Sequence, residues 1–264
     1  MMSEHRINHE PVFLLASSPW RESSLRVEAF SRRYGRVALL ARSARKRQSE
    51  LRGVLVPFVP VSASWYGSQE LKTLHRAEWI GGWRQPQGRA VFSGLYVNEL
   101  VLKLTAREDP MPELYDALAK VMEAVCREAN HIADLRRFEW KLLNALGVAP
   151  DLHADSTGGD ILADKTYRLM PEEAVMPVCE DADALSHEAG AIVEGQSLID
   201  LREGSFRTAE SLQQALKITR LLIGTLLPEG LKSRQVLEQI RQFDRKETAR
   251  ETVPTSDGTA SNAV

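Results

Sequence analysis

The hydrophobic period changes once along this chain, and that change constrains the fold more than any other feature. Up to about residue 85 apolar residues alternate or run briefly between turn signals, as strands do. From Val91 onward they recur every three or four residues, as on helices. Five strands are expected in the first part. They are Val12 to Ala16, a short apolar run ended by Ser17, Ser18 and Pro19; Leu25, Val27 and Ala29, alternating with Arg26 and Glu28; and Val37 to Ala41, after the turn at Tyr34-Gly35. Val59 to Tyr66 follows, with Val59, Val61, Ala63 and Trp65 on one face, then Leu71 to Ile80 after Gly67-Ser68. A helix over residues 22–31 competes for the second, but Leu25, Val27 and Ala29 fit period 2 better than 3.6. Five short strands, with a short connection between the third and fourth, match a small Greek-key barrel of the OB type, with an SH3-like barrel as the alternative.

In the second part, Val97, Leu100, Val101 and Leu104 share one face. Leu114, Leu118, Val121, Met122 and Val125 share another, and Ile132, Leu135, Leu142 and Leu146 a third, stopped by Gly147. Asp109-Pro110-Met111-Pro112 separates the first two helices, because proline is tolerated at a helix start and not inside. Val148 to Asp164 is a polar connection. A further helix is expected from Ala209, with Thr208 as N-cap, to Leu227, carrying Leu212, Leu216, Ile223 and Leu226 inward and ended by Pro228 and Gly230. Ser233 is expected to cap a last helix through Phe243. The predicted fold class is α+β, a five-stranded OB-fold barrel (1–85) followed by an all-helical C-terminal domain (86–245), with a disordered tail over 246–264.

Composition sharpens the division. With 43% hydrophobic and 27% charged residues, the 264-residue chain reads as soluble and globular. Its longest apolar stretch, Val54 to Val61, is interrupted by Pro57 and Pro60 and falls far short of the roughly 20 residues that span a bilayer. Met1 to Glu10 lacks the apolar centre of a secretory signal, so the cytoplasm is expected. Residues 1–85 carry 14 Lys and Arg against 7 Asp and Glu, a net +7, whereas the rest carries 20 against 29, a net −9. A basic domain joined to an acidic one suggests that the first meets a polyanion. Between Arg21 and Arg52 ten basic residues face three acids.

Arginine supplies charge and forked donors, so the loop Arg42, Arg45, Lys46, Arg47 and Arg52, with Arg32, Arg33 and Arg36 before it, suits binding to a phosphate backbone. A solvated basic loop is the plain alternative. Trp65 and Tyr66 point to opposite faces of one strand, so at most one meets a base while the other joins the core. Trp79 and Trp83 are expected in the core or at a domain junction. In the acidic domain Arg136, Arg137, Lys141, Lys217 and Arg220 stand out. Arg137 with Lys141, and Arg136 with Trp140, form i, i+4 pairs that suit an acidic peptide ending in an aromatic, although ordinary pairing with Glu139 or Asp134 accounts for them equally well.

Catalytic motifs are missing: no phosphate-binding G-x-x-x-x-G-K-[ST], no H-E-x-x-H, no C-x-x-C, and no serine in a nucleophile elbow. Asp151, His153, Asp155, Asp160 and Asp164 follow no metal-binding spacing and read as a solvated acidic loop. Cys126 reads as a small core residue. The chain is expected to be no enzyme and to hold no cofactor. An RNA-binding or translation-associated OB protein, and then a metal-dependent nuclease, are the competing functions.

Several stretches together resemble the bacterial recombination mediator family RecO: Arg21-Glu22-Ser23-Ser24 after the opening strand; Phe30-Ser31-Arg32-Arg33-Tyr34-Gly35-Arg36; Ala41-Arg42-Ser43-Ala44-Arg45; and Pro57-Phe58. In the second half Arg136-Arg137-Phe138-Glu139-Trp140 with Leu142-Leu143, Leu146-Gly147 and Pro150-Asp151-Leu152, and finally Leu231-Lys232-Ser233-Arg234, continue the resemblance. It implies an N-terminal OB-fold, a helical C-terminal domain, binding of single- and double-stranded DNA and annealing of complementary strands. It also implies work with RecR and the acidic tail of single-strand-binding protein to load RecA, by a protein expected to be monomeric alone and away from membranes. Many members of that family carry four zinc-binding cysteines after the helix that ends here at Gly147. This chain has only Cys179 there, with His153 and His187 at a distance, so no zinc is expected.

Overall fold

A computed structural model describes residues 6–127, 131–178 and 190–239. Five strands, β1 (Arg6–Trp20), β2 (Ser24–Ser31), β3 (Gly35–Ala41), β4 (Pro60–Tyr66) and β5 (Leu71–Trp79), close into a barrel in the order β1-β2-β3-β5-β4. The pairs are antiparallel except β3 with β5, where Ala38 to Leu40 run parallel to Leu71 to Thr73 and complete the closure. Strand β1 is twice as useful as its short apolar run suggested. Its first half pairs with β4 and its second with β2, with a bulge between Leu14 and Ala16. Val12 and Leu14 enter the barrel while Phe13 and Leu15 turn outward into the helices, so both faces are buried and the sequence shows a run rather than an alternation. Val27, Ala29, Val37, Leu39, Ala63 and Leu74 line the interior around Trp65, which meets Tyr34 edge-on at 5.5 Å. The connection from β3 to β4, residues 42–59, is longer than expected; Leu51, Val54 and Leu55 fold it back onto the barrel core.

Helices α1 (Arg89–Leu104), α2 (Pro112–Cys126) and α3 (Ile132–Ala145) bury the faces their periodicity marks, apart from the half-buried Leu104 and Leu146 and from Ile132, which stays exposed at the start of α3. They pack onto the outer face of the barrel. Phe13, Phe30 and Phe58 share one continuous core with Tyr96, Leu114, Tyr115 and Met122. Cys126 belongs to it: burial pushes its thiol up to about 11, and it donates to the Phe58 carbonyl at 3.7 Å. The junction depends on close approach. Gly35 has a φ of 63°, and a Cβ there would lie 2.1 Å from the Asp109 carbonyl oxygen, so only glycine lets the β2–β3 turn press on the α1–α2 connection.

The expectation of an all-helical second domain needs correction. A three-stranded antiparallel sheet, β6 (Thr166–Leu169), β7 (Met176–Pro177) and β8 (Ala191–Glu194), lies between α3 and α4 (Gly195–Glu203), in the order β7-β6-β8. Strands this short put only one or two side chains inward, too few for a period to register. Helix α5 (Ala209–Leu226) begins as expected, with the Thr208 hydroxyl accepting from Ser211 N at 3.1 Å. Its inward face differs: Ser211, Ala215, Ile218, Thr219, Leu222 and Ile223 are buried, while Leu212, Leu216 and Leu226 are half-buried. Small and polar residues permit the close contact with α3 and α4, where Asp200 accepts from Ser211 Oγ at 2.7 Å.

A last helix, α6, is described over 232–239. Its cap is not Ser233. The Glu99 carboxylate of α1 accepts from Lys232 N at 2.9 Å and Ser233 N at 2.8 Å. Burial opposes the Glu99 charge, but these hydrogen bonds and Lys103 outweigh it and hold the carboxyl below its ordinary range. The expected end at Phe243 and the tail over 246–264 lie outside the described residues.

Candidate nucleic-acid interface

The candidate arginines divide into two groups. Arg32 makes a two-pronged bond to Asp116 of α2, at 3.0 and 3.1 Å, and so ties the barrel to the helices; its hydrogen bonds and charge hold the Asp116 carboxyl below its ordinary range. Arg33 donates to the buried Glu10 at 2.6 Å. Arg36 reaches Glu28 at 3.2 Å and the Thr105 carbonyl at 3.0 Å, and Arg107 joins the same Glu28 at 2.6 Å. Of these three expected phosphate ligands, Arg32 and Arg36 therefore staple the barrel to the helical domain, and Arg33 staples the β2–β3 turn to β1 within the barrel. Their partners stand up to 84 residues away, which a local charge count does not register.

The second group has no such internal partners. Arg42, Arg45, Lys46, Arg47 and Arg52 are all exposed on the β3–β4 connection, and among the described residues no carboxylate pairs with any of them. Short turns stiffen the segment, with Lys46 N bonded to Ser43 O, Ser49 N to Lys46 O, and Arg52 N to Ser49 O. Buried Ala44 anchors it. Arg45 fastens it to the β1–β2 hairpin: its backbone N donates to Ser23 O at 2.9 Å and its guanidinium to Glu22 O at 3.2 Å. Exposed Arg21, at the hairpin tip with a φ of 51°, thus joins the same basic end of the barrel. Its place opposite the loop is a tertiary fact that the sequence does not announce.

The aromatics are reassigned. Trp65 is 1% exposed inside the barrel and meets no base. Tyr66 is half-buried, with its ring 6.4 Å from that of His75. Trp83 sits at the junction as expected, edge-on to Phe13 at 5.8 Å. Trp79, expected in the core or at a domain junction, is 54% exposed at the end of β5. Its neighbours in sequence, Glu78 and Ile80, gave no sign of this.

The supposed partner face on α3 also comes apart. Arg136 is 5% exposed and paired with buried Glu139 at 2.8 Å. Glu139 in turn accepts from Tyr96 OH at 2.6 Å and from Thr219, so Arg136 belongs to a core network; burial, then the Glu139 charge, pushes the Tyr96 hydroxyl well above its ordinary range. Adjacent residues on a helix diverge by about 100°. Arg137 therefore faces α4, bound to Asp134 at 2.8 Å and to Gly204 O at 2.7 Å. With Lys141 and the largely buried Trp140 it lines a groove of ≈ 560 Å³ that also holds Glu113, Asp116 and Glu203. Lys217 donates to Ile192 O at 3.0 Å on the edge of β8. Arg220 lines a different groove, of ≈ 440 Å³, between α1, α3, α5 and α6. That groove has apolar walls from Phe92, Ile132, Leu212 and Leu216, a rim of Arg89, Arg220 and Arg234, and no acidic residue among the described ones. Arg136 borders it, and its Nε has no partner.

Asp155 in the acidic loop closes on itself, accepting from Thr157 N, Thr157 Oγ1 and Gly159 N at 2.9, 2.6 and 3.2 Å. Among the described residues no three His, Cys, Asp or Glu side chains gather as metal ligands, while Cys179 and His187 lie outside them. The described residues of this region supply no ligand set of the kind a structural zinc needs. No described helix is long and apolar enough to cross a membrane.

A closed five-stranded barrel with an unpaired basic loop, joined to a helical domain, matches what the motif resemblance implied. Two family descriptions cover the chain: Recombination protein O N terminal over residues 2–83, and Recombination protein O C terminal over 85–235. The chain belongs to the RecO family. Similar proteins include DNA repair protein RecO of Neisseria meningitidis serogroup C, 93% identical over 263 residues with all of both chains covered. DNA repair protein RecO of Neisseria gonorrhoeae is 95% identical over 92% of this chain and 99% of its own. The protein of the same name in Chromobacterium violaceum is 38% identical over 92% of this chain and 99% of its own. In this RecO chain the barrel carries the basic loop without carboxylate partners, while the helical domain carries an apolar groove edged by arginines.

Proposed function

We propose that this RecO protein acts in DNA repair and recombination as a non-catalytic mediator in the cytoplasm. It binds single- and double-stranded DNA at the basic end of its barrel, anneals complementary strands and, with RecR, helps load RecA onto strands coated by single-strand-binding protein. The observation that carries this reading is the set Arg42, Lys46, Arg47 and Arg52, exposed, without carboxylate partners and held on a stiffened loop. Such cations bind phosphates without reading sequence and lower the repulsion between two strands while leaving base edges free to pair.

The acidic tail of single-strand-binding protein fits the groove beside Arg220 better than the Arg137 face. Arg137 is already bonded to Asp134 and its groove contains carboxylates, whereas the other combines apolar walls with arginines and has no carboxylate in its lining. Arg220→Glu should weaken tail-peptide binding about tenfold, with Arg137→Glu doing far less.

The test is annealing of complementary strands, naked and coated with single-strand-binding protein, alongside RNA binding and nuclease assays with magnesium. Annealing of coated strands is expected, with Arg220→Glu impairing coated strands more than naked ones. Preference for RNA without annealing would favour a translation-associated role, and cleavage with magnesium would make the protein an enzyme.

A further inference from the structure

The barrel's one strongly exposed aromatic remains without a role. Trp79, at 54%, is the most exposed large hydrophobic residue among the described ones, and its neighbour Ile80 is 36% exposed. The indole has no aromatic ring stacked against it, although Trp65, Phe13, Phe30 and Trp83 each meet another ring. Leaving so much apolar surface in water offers the barrel no stability. The residues that follow keep the space open: ideal Cβ atoms built on Gly81 and Gly82 would meet nothing within 4 Å. The position connects directly to the basic loop. Ile80 N donates to Pro60 O at 3.2 Å, where the β3–β4 connection enters β4, and Gln85 Nε2 donates to Pro57 O at 3.3 Å on the same connection. One end of that segment therefore carries cations without carboxylate partners, and the other is hydrogen-bonded to Ile80, the residue that follows the exposed Trp79. Exposed Arg84, which no described carboxylate pairs, adds a cation on this side.

We infer that Trp79 is a stacking platform for an unpaired base of single-stranded DNA whose phosphates run along the Arg42 to Arg52 loop. This rests on the DNA-binding reading above and adds to it the residue that distinguishes single strands from duplex. A base within a duplex has both faces covered by its neighbours, so an indole stacks only on a base that is free. Stacking by an aromatic tolerates any sequence, because every base has a π face, and it releases no counterions. A basic loop alone would favour whichever nucleic acid has the higher charge density; an aromatic beside it tilts the balance toward single strands.

The experiment measures binding of the full chain to oligo-dT and to a blunt duplex at several salt concentrations, for wild type, Trp79→Ala and Trp79→Phe. Trp79→Ala should weaken oligo-dT binding about tenfold, equivalent to about 1.4 kcal/mol, with duplex binding and the salt slope unchanged. Trp79→Phe should keep most of the affinity but lose much of the fluorescence quenching that oligo-dT causes in wild type, a readout that survives even if the alanine variant misfolds. Wild-type affinity for oligo-dT in Trp79→Ala, equal loss on duplex, or unchanged quenching in Trp79→Phe would each overturn the assignment. If Arg45, Lys46 and Arg47 prove essential while Trp79 does not, DNA binding stands and this inference falls. If wild type binds neither ligand, both fall.

Discussion

Two arginine-rich stretches, Arg32 to Arg36 and Arg42 to Arg52, lie side by side in the sequence and look equally suited to phosphates, yet the fold uses them in opposite ways. In the first, each guanidinium meets a carboxylate: Asp116, Glu10 or Glu28. In the second, the side chains are exposed and have no carboxylate partner among the described residues, Arg45 alone reaching a backbone carbonyl of the hairpin. A cation neutralised inside a protein has little left to offer a polyanion, so clustering of charge in sequence indicates binding only after the internal partners are known.

The comparison breaks most readily at the second stretch. Changing Arg45, Lys46 and Arg47 together to Glu should weaken DNA binding about a hundredfold at moderate salt, uniformly across sequences, and lower the salt slope by roughly 0.7 for each lost contact on single strands. The melting temperature should fall only slightly, through loss of the exposed Arg45 bond to Glu22 O. Unchanged affinity would remove the loop from the interface and leave the two stretches alike in having no DNA contact.

Arg36→Ala should show the reverse pattern. It removes hydrogen bonds to Glu28 and to Thr105 O at the domain junction, so a stability loss of about 1.5–3 kcal/mol is expected in denaturant titration, with the salt slope of DNA binding intact. A changed slope and an unchanged midpoint would place Arg36 with the binding group.

A smaller effect separates the Arg32–Asp116 pair. Because Arg32 lowers the folded-state pKa of Asp116, the pair stabilises the fold above the unfolded carboxylate pKa of about 4, and that contribution is lost as pH falls through the lower folded value. The melting difference between wild type and Asp116→Asn should be present at neutral pH and close in acid. The pair is exposed, so the difference should be small and should shrink with salt. A difference that grows in acid would contradict this account. Away from both stretches, a chelator should leave the melting temperature unchanged and purified protein should contain substoichiometric zinc; one tightly held zinc per chain would overturn that expectation.

Much of the fold was legible because local periodicity carries it. Leu25, Val27 and Ala29 alternate, and β2 is a strand; Leu114, Leu118, Val121 and Val125 recur at helical spacing, and α2 buries all four. The short sheet β7-β6-β8 was not legible, since Tyr167 and Leu169 alone make no period. The inward face of α5 was misread because leucines were weighed above Ala215 and Thr219, although close helix packing favours the small residues. The basic loop was visible, but which of Trp65 and Tyr66 joins the core was left open, because alternation places a residue on a face without saying which face is inside.

By itself the sequence determined where strands give way to helices, the excess of positive charge on the barrel, and the family. These are properties of neighbouring residues or of sums over segments, and they need no knowledge of what meets what. Only the tertiary structure decided which arginines are neutralised, that Trp65 is buried while Trp79 is exposed, that Glu99 caps a helix more than 130 residues away, and that Arg136 and Arg137 serve different sides of one helix. Those outcomes depend on pairing across long separations, where the cost of an unpaired buried charge and the gain from excluding water select a single arrangement.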